Sequence, residues 1–518
     1  MATIPIRADG SAANIAAATS GVSASTSLNW ANLIADDANV SAGDVIELYS
    51  AGGSFTASSG VVLQVTADMS GALGNPVIIR EAAGNTVSVI STGSARGIDF
   101  AAGCNYVEVD LDVTQQSTDA AVHASSTAGI AGDGYTIVYK GTVTGRAGAA
   151  DDGDGISTDG IGTANRSELL LDGATIQDIR RITAAPGSPQ SVTCHDDSRC
   201  RAINGTRILR SNTVYATGGA ATANFEMTGG EITTWYGDGI DLNTNAGGNA
   251  IFNSVTITND QDARLHVVTQ NDQDGIVLYN QCTINISNSD QISQNNSGVV
   301  IQDTALSITD SSGFQFRCSR SKPIEIRGGS ITIVGAKATQ LIRIQGAGGR
   351  YVVKGVKIDV SALTSGGIFT TGGSTFGTDN KFINNKMLGG ESGVSLTNNF
   401  TDADIRFNTF VGIGVASNSN RAVSVGETNG TSQVSDNIFS NCLGNNGCIF
   451  TDSGTPFIDR NNYSNGTADE GDELGSTTDP VLNSNNEPTA ASVYQGARSF
   501  ASGGSAQIPA TITHNTIG

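Results

Sequence analysis

Residues 383–411 read INNKMLGGESGVSLTNNFTDADIRFNTFV. Near each end an asparagine stands two positions before a large apolar residue, Asn385 before Met387 and Asn408 before Phe410, a step of 23 residues from one apolar position to the next. Between them lies a short alternating run, Gly393-Val394-Ser395-Leu396, bounded by Gly- and Asn-rich turn signals. Nothing in the stretch is long and amphipathic enough to be a helix. It reads as strand, turn, strand, turn, and then the pattern starts again.

Working outward, the same apolar position recurs at Val113, Val143, Ile176, Ile208, Ile232, Ile257, Ile284, Ile308, Ile333, Ile358, Met387, Phe410, Phe439 and Tyr463, a mean step close to 27. Second short runs begin at Gly275, Gly298, Gly393 and Ala422, 9 to 17 residues before the next of these positions. A parallel connection without a helix, repeated at this period, predicts a solenoid whose strands stack coil on coil about 4.8 Å apart. Crossovers between parallel strands are strongly right-handed. The expected fold is therefore all-β, a single-stranded right-handed parallel β-helix with short N-terminal and C-terminal caps. Asn385, Asn408, Asn437 and Asn461 recur at steps of 23, 29 and 24. They predict a structural ladder, because asparagine tolerates left-handed backbone and bonds its equivalent in the next coil.

Composition agrees. The 518 residues weigh 52.8 kDa, with 65 Gly and 42 Asn but only 7 Lys and 4 Met. Gly and Asn are poor helix formers, so a helical enzyme is excluded. No apolar run approaches the roughly 20 residues of a membrane span. A net charge of -21 argues against nucleic acid, which needs clustered Lys and Arg.

The N-terminal part carries a motif. Gly43-Asp44-Val45-Ile46 is followed by Gly71-Ala72-Leu73-Gly74-Asn75-Pro76-Val77-Ile78-Ile79-Arg80. This resembles the opening coils of right-handed β-helix polysaccharide lyases of the chondroitinase and alginate lyase kind, over about residues 25 to 110. The resemblance implies a fold and says little about activity. Three regions are expected: an attachment or cap segment at 1–24, the β-helix at 25–465, and a C-terminal cap or oligomerisation segment at 466–518. The stretch Met1–Gly21 lacks the apolar core of a secretory signal.

Chemistry is sought at Asp-Gly-Ile, which occurs at Asp154, Asp159, Asp238 and Asp274. The plain reading is a turn followed by a core residue. The functional reading pairs Asp238 and Asp274 on adjacent coils, with Asp241 beside them, as candidate catalytic carboxylates about 5 Å apart. Gly237-Asp238-Gly239-Ile240-Asp241 looks like the catalytic strand of polygalacturonase-type hydrolases, although Tyr236 and Gly237 replace its first two residues. Trp235 and Tyr236 are candidates for stacking on a sugar, or packed turn aromatics. Asp151, Asp152 and Asp154 form the one cation candidate, for calcium; no other cofactor is expected. His195 beside Asp196 and Asp197 is either surface, a base or a ligand. Cys194/Cys200 and Cys442/Cys448 share one spacing, compatible with loop disulfides or with reduced thiols.

The long flat face a β-helix offers to a sugar chain, the start at Met1 without a signal peptide and terminal segments suited to attachment and capping make the leading expectation a bacteriophage virion protein, similar to the tailspike or fibre type. It would be, by that likeness, a homotrimer, associated with other virion proteins, binding a bacterial surface polysaccharide and open to depolymerising it. The alternatives are a secreted, extracellular polysaccharide lyase or glycoside hydrolase, and a non-catalytic adhesin or decoration protein.

Overall fold

A computed structural model describes residues 2–18, 23–130, 135–145, 153–160, 166–179, 189–218, 223–235, 238–242, 248–259, 264–267, 275–287, 291–294, 298–309, 315–318, 323–334, 339–344, 350–363, 366–371, 379–400, 402–414, 421–427, 432–442, 448–453, 456–459 and 461–464. The chain forms two compact units, Met1–Ile257 with Thr269–Ile276, and Thr258–Val268 with Val277–Gly518. Each is a parallel β-helix. The segment 466–518 lies outside the described residues. Among the described residues no helix is long and apolar enough to cross a membrane.

In the first unit three parallel stacks run side by side. The first starts at Thr3–Arg7, Val45–Tyr49, Val77–Glu81 and Val107–Asp110. The second includes Val113–Ser117, Thr142–Gly145, Thr175–Gln177, Arg207–Ser211 and Glu231–Trp235. The third runs through Val122–Ala124, Ile156–Thr158, Gln190–His195, Thr213–Gly218 and Asp238–Asp241. Thr3–Arg7 falls inside the region expected as an attachment or cap segment and supplies the first rung.

The lyase-like motif is explained by two interlocked coils. Asp44 is buried, and its carboxylate accepts the N–H groups of Ala2 (2.6 Å) and Ser41 (2.9 Å). Asn75 Nδ2 donates to Ala42 O at 2.8 Å, and Gly43, at φ +86, leaves no room for a Cβ against that asparagine. The motif is thus a corner brace, and its presence says nothing about chemistry.

The second unit repeats the three-stack plan. Each coil therefore carries three strands where two were expected. Gly298–Gln302 belongs to the first stack, pairing with Pro323–Arg327, whereas Ser392–Phe400 and Val423–Glu427 pair in the third. The short runs read as one class come from two faces, which accounts for their 9 to 17 residue spread. An alternating strand looks the same in sequence whichever face it occupies.

The apolar ladder is largely as expected. Val113, Val143, Ile176, Ile208 and Ile232 pair in succession, as do Ile358, Met387, Phe410, Phe439 and Tyr463. It slips by two in between: Ile284 pairs with Leu306 rather than Ile308, and Ile358 with Ile331 rather than Ile333. A two-residue slip keeps the same face, so periodicity alone cannot detect it. At the end of the ladder Phe410, Phe439 and Tyr463 stack with ring centroids 5.0 and 5.3 Å apart.

The asparagine ladder is present and buried. Asn385 Nδ2 donates to Asn408 Oδ1 (3.0 Å), Asn408 Nδ2 to Asn437 Oδ1 (3.1 Å) and Asn437 Nδ2 to Asn461 Oδ1 (3.1 Å). Each of these acceptor oxygens also takes the backbone N–H of the preceding rung. The left-handed backbone falls one residue earlier than expected, at Asn384 (φ 57), Phe407 (φ 61) and Asp436 (φ 57). The turn is made there, which frees the ladder asparagine to point inward.

Cys104, Cys194, Cys200, Cys282, Cys442 and Cys448 are all buried free thiols. Burial pushes the Cys194 thiol up to about 11 and Cys104 to about 12. A thiolate is the reactive form, so these groups are inert. A thiol-disulfide reagent near neutral pH should titrate at most one thiol per native chain, and all 7 after denaturation without reductant. Fewer than 7 would indicate a disulfide.

Candidate functional site

The third stack of the first unit sets two columns by alternation. Ile98, Val122, Ile156, Val192, Tyr215 and Ile240 are in register and buried, forming the inward column. One residue on, Asp99, His123, Ser157, Thr193 and Ala216 form the column facing away from that core, and Asp241 continues the same register. An outward column on a solenoid is ordinarily exposed. Here Asp99, His123, Ser157, Thr193 and Ala216 show 4%, 2%, 6%, 3% and 3% exposure. These five side chains are therefore covered, and the polar recess they form reaches solvent at the Asp159 side chain, 40% exposed.

His123 is the hub. Its Nδ1 lies 2.5 Å from Asp99 Oδ1 and its Nε2 lies 2.8 Å from Asp159 Oδ2. Arg96 Nη1 donates to Asp99 Oδ1 (3.1 Å) and sits 2.9 Å from His123 Nδ1, while Arg96 Nε reaches Asp119 at 3.3 Å. Asp99 is inside; the Asp159 side chain is 40% exposed and reaches solvent. These groups come from successive coils: Asp99 near the end of Val89–Phe100, His123 within Val122–Ala124, and Asp159 just after Ile156–Thr158.

Burial by itself would raise both carboxyls. The His123 hydrogen bond and charge outweigh it, and Asp99 and Asp159 are both held below the usual carboxylate range. Burial likewise disfavours the His123 imidazolium, but its bonds to Asp159 and Asp99 raise its pKa overall. Asp154 goes the other way. Burial pushes it up, although Thr193 Oγ1 (2.7 Å) and the Gln190 N–H (3.0 Å) donate to its two oxygens. His195, the last residue of the strand Gln190–His195, is a lesser electrostatic influence that lowers both Asp154 and Asp159. The two carboxyls, on either side of the strand Ile156–Thr158, are thus shifted in opposite directions.

The raised imidazole pKa has a consequence for stability. His123 contributes below its unfolded value of about 6.5, and that contribution is lost as pH rises through its folded value. Asp99 contributes above about 3.9, and that part is lost as pH falls through its folded value. The pair is therefore strongest between these limits. Urea unfolding should show a larger deficit for His123→Gln at about pH 5.5 than at about pH 9. An equal deficit at both would exclude the charged bridge.

The sequence candidates fare unevenly. Asp238 and Asp241 lie on the strand Asp238–Asp241, and Asp241 continues the register of Asp99 and His123. The side chains of Asp238 and Asp241, and the whole of Asp274, Tyr236, Asp151 and Asp152, fall outside the described residues. Trp235 is fully buried, paired with Ser211, and is a packed core aromatic rather than a platform for sugar. Each Asp154 oxygen accepts a hydrogen bond from its neighbours, and among the described residues no group of three or more His, Cys, Asp or Glu could hold a metal. Arg96, Asp99, Asp119 and His123 were missed. The available signal was the recurrence of Gly-Ile-Asp at 97–99 and 239–241, which fall in one register.

No family model matches the chain, and no curated protein does. Among solved structures it is similar to a mannuronic acid specific polysaccharide family 6 lyase from human gut microbiota, at 9% identity and a TM-score of 0.34, covering 90% of this chain and 86% of the other. It is also similar to a PL6 family alginate lyase, at 9% identity and a TM-score of 0.23, covering 82% and 92%. Likeness at this level leaves the site to be argued from its own residues.

Proposed function

We propose that the chain binds an extended polysaccharide across the third face of its first unit and hydrolyses it there. Asp154 would give a proton to the leaving glycosidic oxygen. Asp159 would act as the second carboxylate, on the sugar or on water. The observation that supports this is Asp159, bonded to His123, held ionised and open to solvent at the edge of the outward column, with Asp154 pushed up at the other end of the same strand. Rungs about 4.8 Å apart also suit a chain of sugar units laid along the stack.

The test is incubation with a panel of bacterial and marine polysaccharides, reading new reducing ends and the ultraviolet absorbance of unsaturated uronates. Reducing ends without that absorbance support hydrolysis. Absorbance would move the reaction to the lyase alternative. Binding without either leaves the adhesin alternative, and neither binding nor cleavage removes the proposal. The placement in a virion is an expectation from the sequence, and its trimeric state one from the resemblance alone. Its check is mass by light scattering, where a monomer would count against it.

A further inference from the structure

The surroundings of His123 contain more than an acid and a base require. Both ring nitrogens face carboxylate oxygens, at 2.5 and 2.8 Å. An ionised carboxylate only accepts hydrogen bonds, and a neutral imidazole has one N–H to donate. The doubly protonated ring satisfies both carboxylates; the competing arrangement, a neutral ring whose Nδ1 accepts from Arg96 Nη1 at 2.9 Å, leaves the closer Asp99 Oδ1, at 2.5 Å, against a lone pair. A neutral ring would set a lone pair against a carboxylate in a buried place, which is costly. The two carboxylates are not equivalent: Asp99 is 4% exposed and closed in by Arg96, whereas Asp159 opens to solvent.

We propose that His123, oriented by Asp99 and Arg96, is a positioning residue that holds Asp159 in place and ionised, so that the recess is competent only while the imidazole carries its second proton. This rests on the reading of Asp159 as a reacting carboxylate. Among the described residues the charged groups around the ring come from a few strands and their ends. Asp99 and Arg96 come from Val89–Phe100, and Asp119 reaches it through Arg96. Asp159 follows Ile156–Thr158 and bonds the ring directly, and His195, from Gln190–His195, acts on Asp159 and Asp154. Arg96 opposes protonation of the ring; the two carboxylates in direct contact favour it and prevail. Asp99 is the orienting member, because it is enclosed and has no path to a glycan.

The experiment uses the full chain, with the panel polysaccharide it cleaves, and compares pH profiles of kcat and KM for wild type, His123→Gln and Asp99→Asn. The wild type should show an acid limb from Asp159 and an alkaline side on which both the proton donor Asp154 and His123 lose their protons. In His123→Gln the alkaline side should reduce to that of Asp154 alone and the acid limb should move up by about one pH unit, a tenfold change in proton affinity, with KM little changed. In Asp99→Asn the alkaline limb should move down. Thermal melts confirm folding, and Asp99→Asn carries the test if His123→Gln does not fold. Limbs in their wild-type positions in a folded variant would overturn the proposal. If the panel shows no cleavage, the hydrolase reading fails separately, and the clamp is still decided by carbon NMR of the aspartate carboxyls. The Asp159 resonance, identified by its loss in Asp159→Asn, should titrate about tenfold higher in proton affinity in His123→Gln or move likewise in Asp99→Asn, and an unchanged midpoint overturns the clamp.

Discussion

Replacing Asn408 by Ala is expected to cost about 3–6 kcal/mol, enough to melt the coils around it at ordinary temperature. The side chain sits in the middle of the buried ladder and cannot be lost from one side only. Its Oδ1 accepts both the backbone N–H and the Nδ2 of Asn385, each at 3.0 Å. Its Nδ2 donates to Phe382 O at 2.7 Å and to Asn437 Oδ1 at 3.1 Å. Truncation removes all four bonds and leaves at least the Asn385 N–H and the Phe382 carbonyl short of partners in a dry interior. Each such group costs about 1–3 kcal/mol. Water is not a ready substitute, since Asn385, Asn408, Asn437 and Asn461 are at most 1% exposed. Asn204→Ala provides the contrast, because that side chain meets Asp172 at the surface and its loss should fall within about 1 kcal/mol. Solenoid coils hold mainly their neighbours, so the damage should be local. Hydrogen exchange should show protection lost around residues 382–440 and kept in the first unit. Uniform destabilisation, or none, would mean that the ladder is not what binds these coils.

Asp159→Asn is expected to reduce cleavage by about 10²–10⁴-fold while leaving the fold in place. The amide is nearly isosteric, and its oxygen can still accept from His123 Nε2, so the recess keeps its shape. What is lost is the negative charge, and with it any role as nucleophile or base. Asp154→Asn should produce a comparable loss, because its oxygen still accepts from the Gln190 N–H but the group no longer carries an exchangeable acid proton. Asp404→Asn, in the second unit and paired with Arg406, should leave turnover unchanged. Rates on the panel polysaccharide, with circular dichroism melts as the folding check, decide this. Undiminished turnover in both Asp159→Asn and Asp154→Asn would place the chemistry elsewhere on the chain.

The fold was legible because it repeats. One apolar position every 25 or so residues, asparagines at matching steps and no helical segment leave few architectures. The errors have physical causes. The slip at Ile308 and Ile333 conserves the face. The third strand of each coil was hidden because alternation carries no face label. The site was far less legible. His123, in Ala121-Val122-His123-Ala124, carries no motif of its own, and Asp99 is one aspartate among many. Their meaning appears only when coils 24 and 36 residues apart come into register, placing Asp99, His123 and Asp159 within hydrogen-bonding reach.

The sequence by itself determined the parallel β-helix, most of its register and its asparagine spine, because repeated local choices of turn and core residue add up along the chain. The tertiary structure alone decided which polar residues meet, which of the outward column is covered, and which carboxyl is raised or lowered. Those properties depend on the neighbouring coils, and a proton's affinity follows its surroundings rather than its place in the sequence.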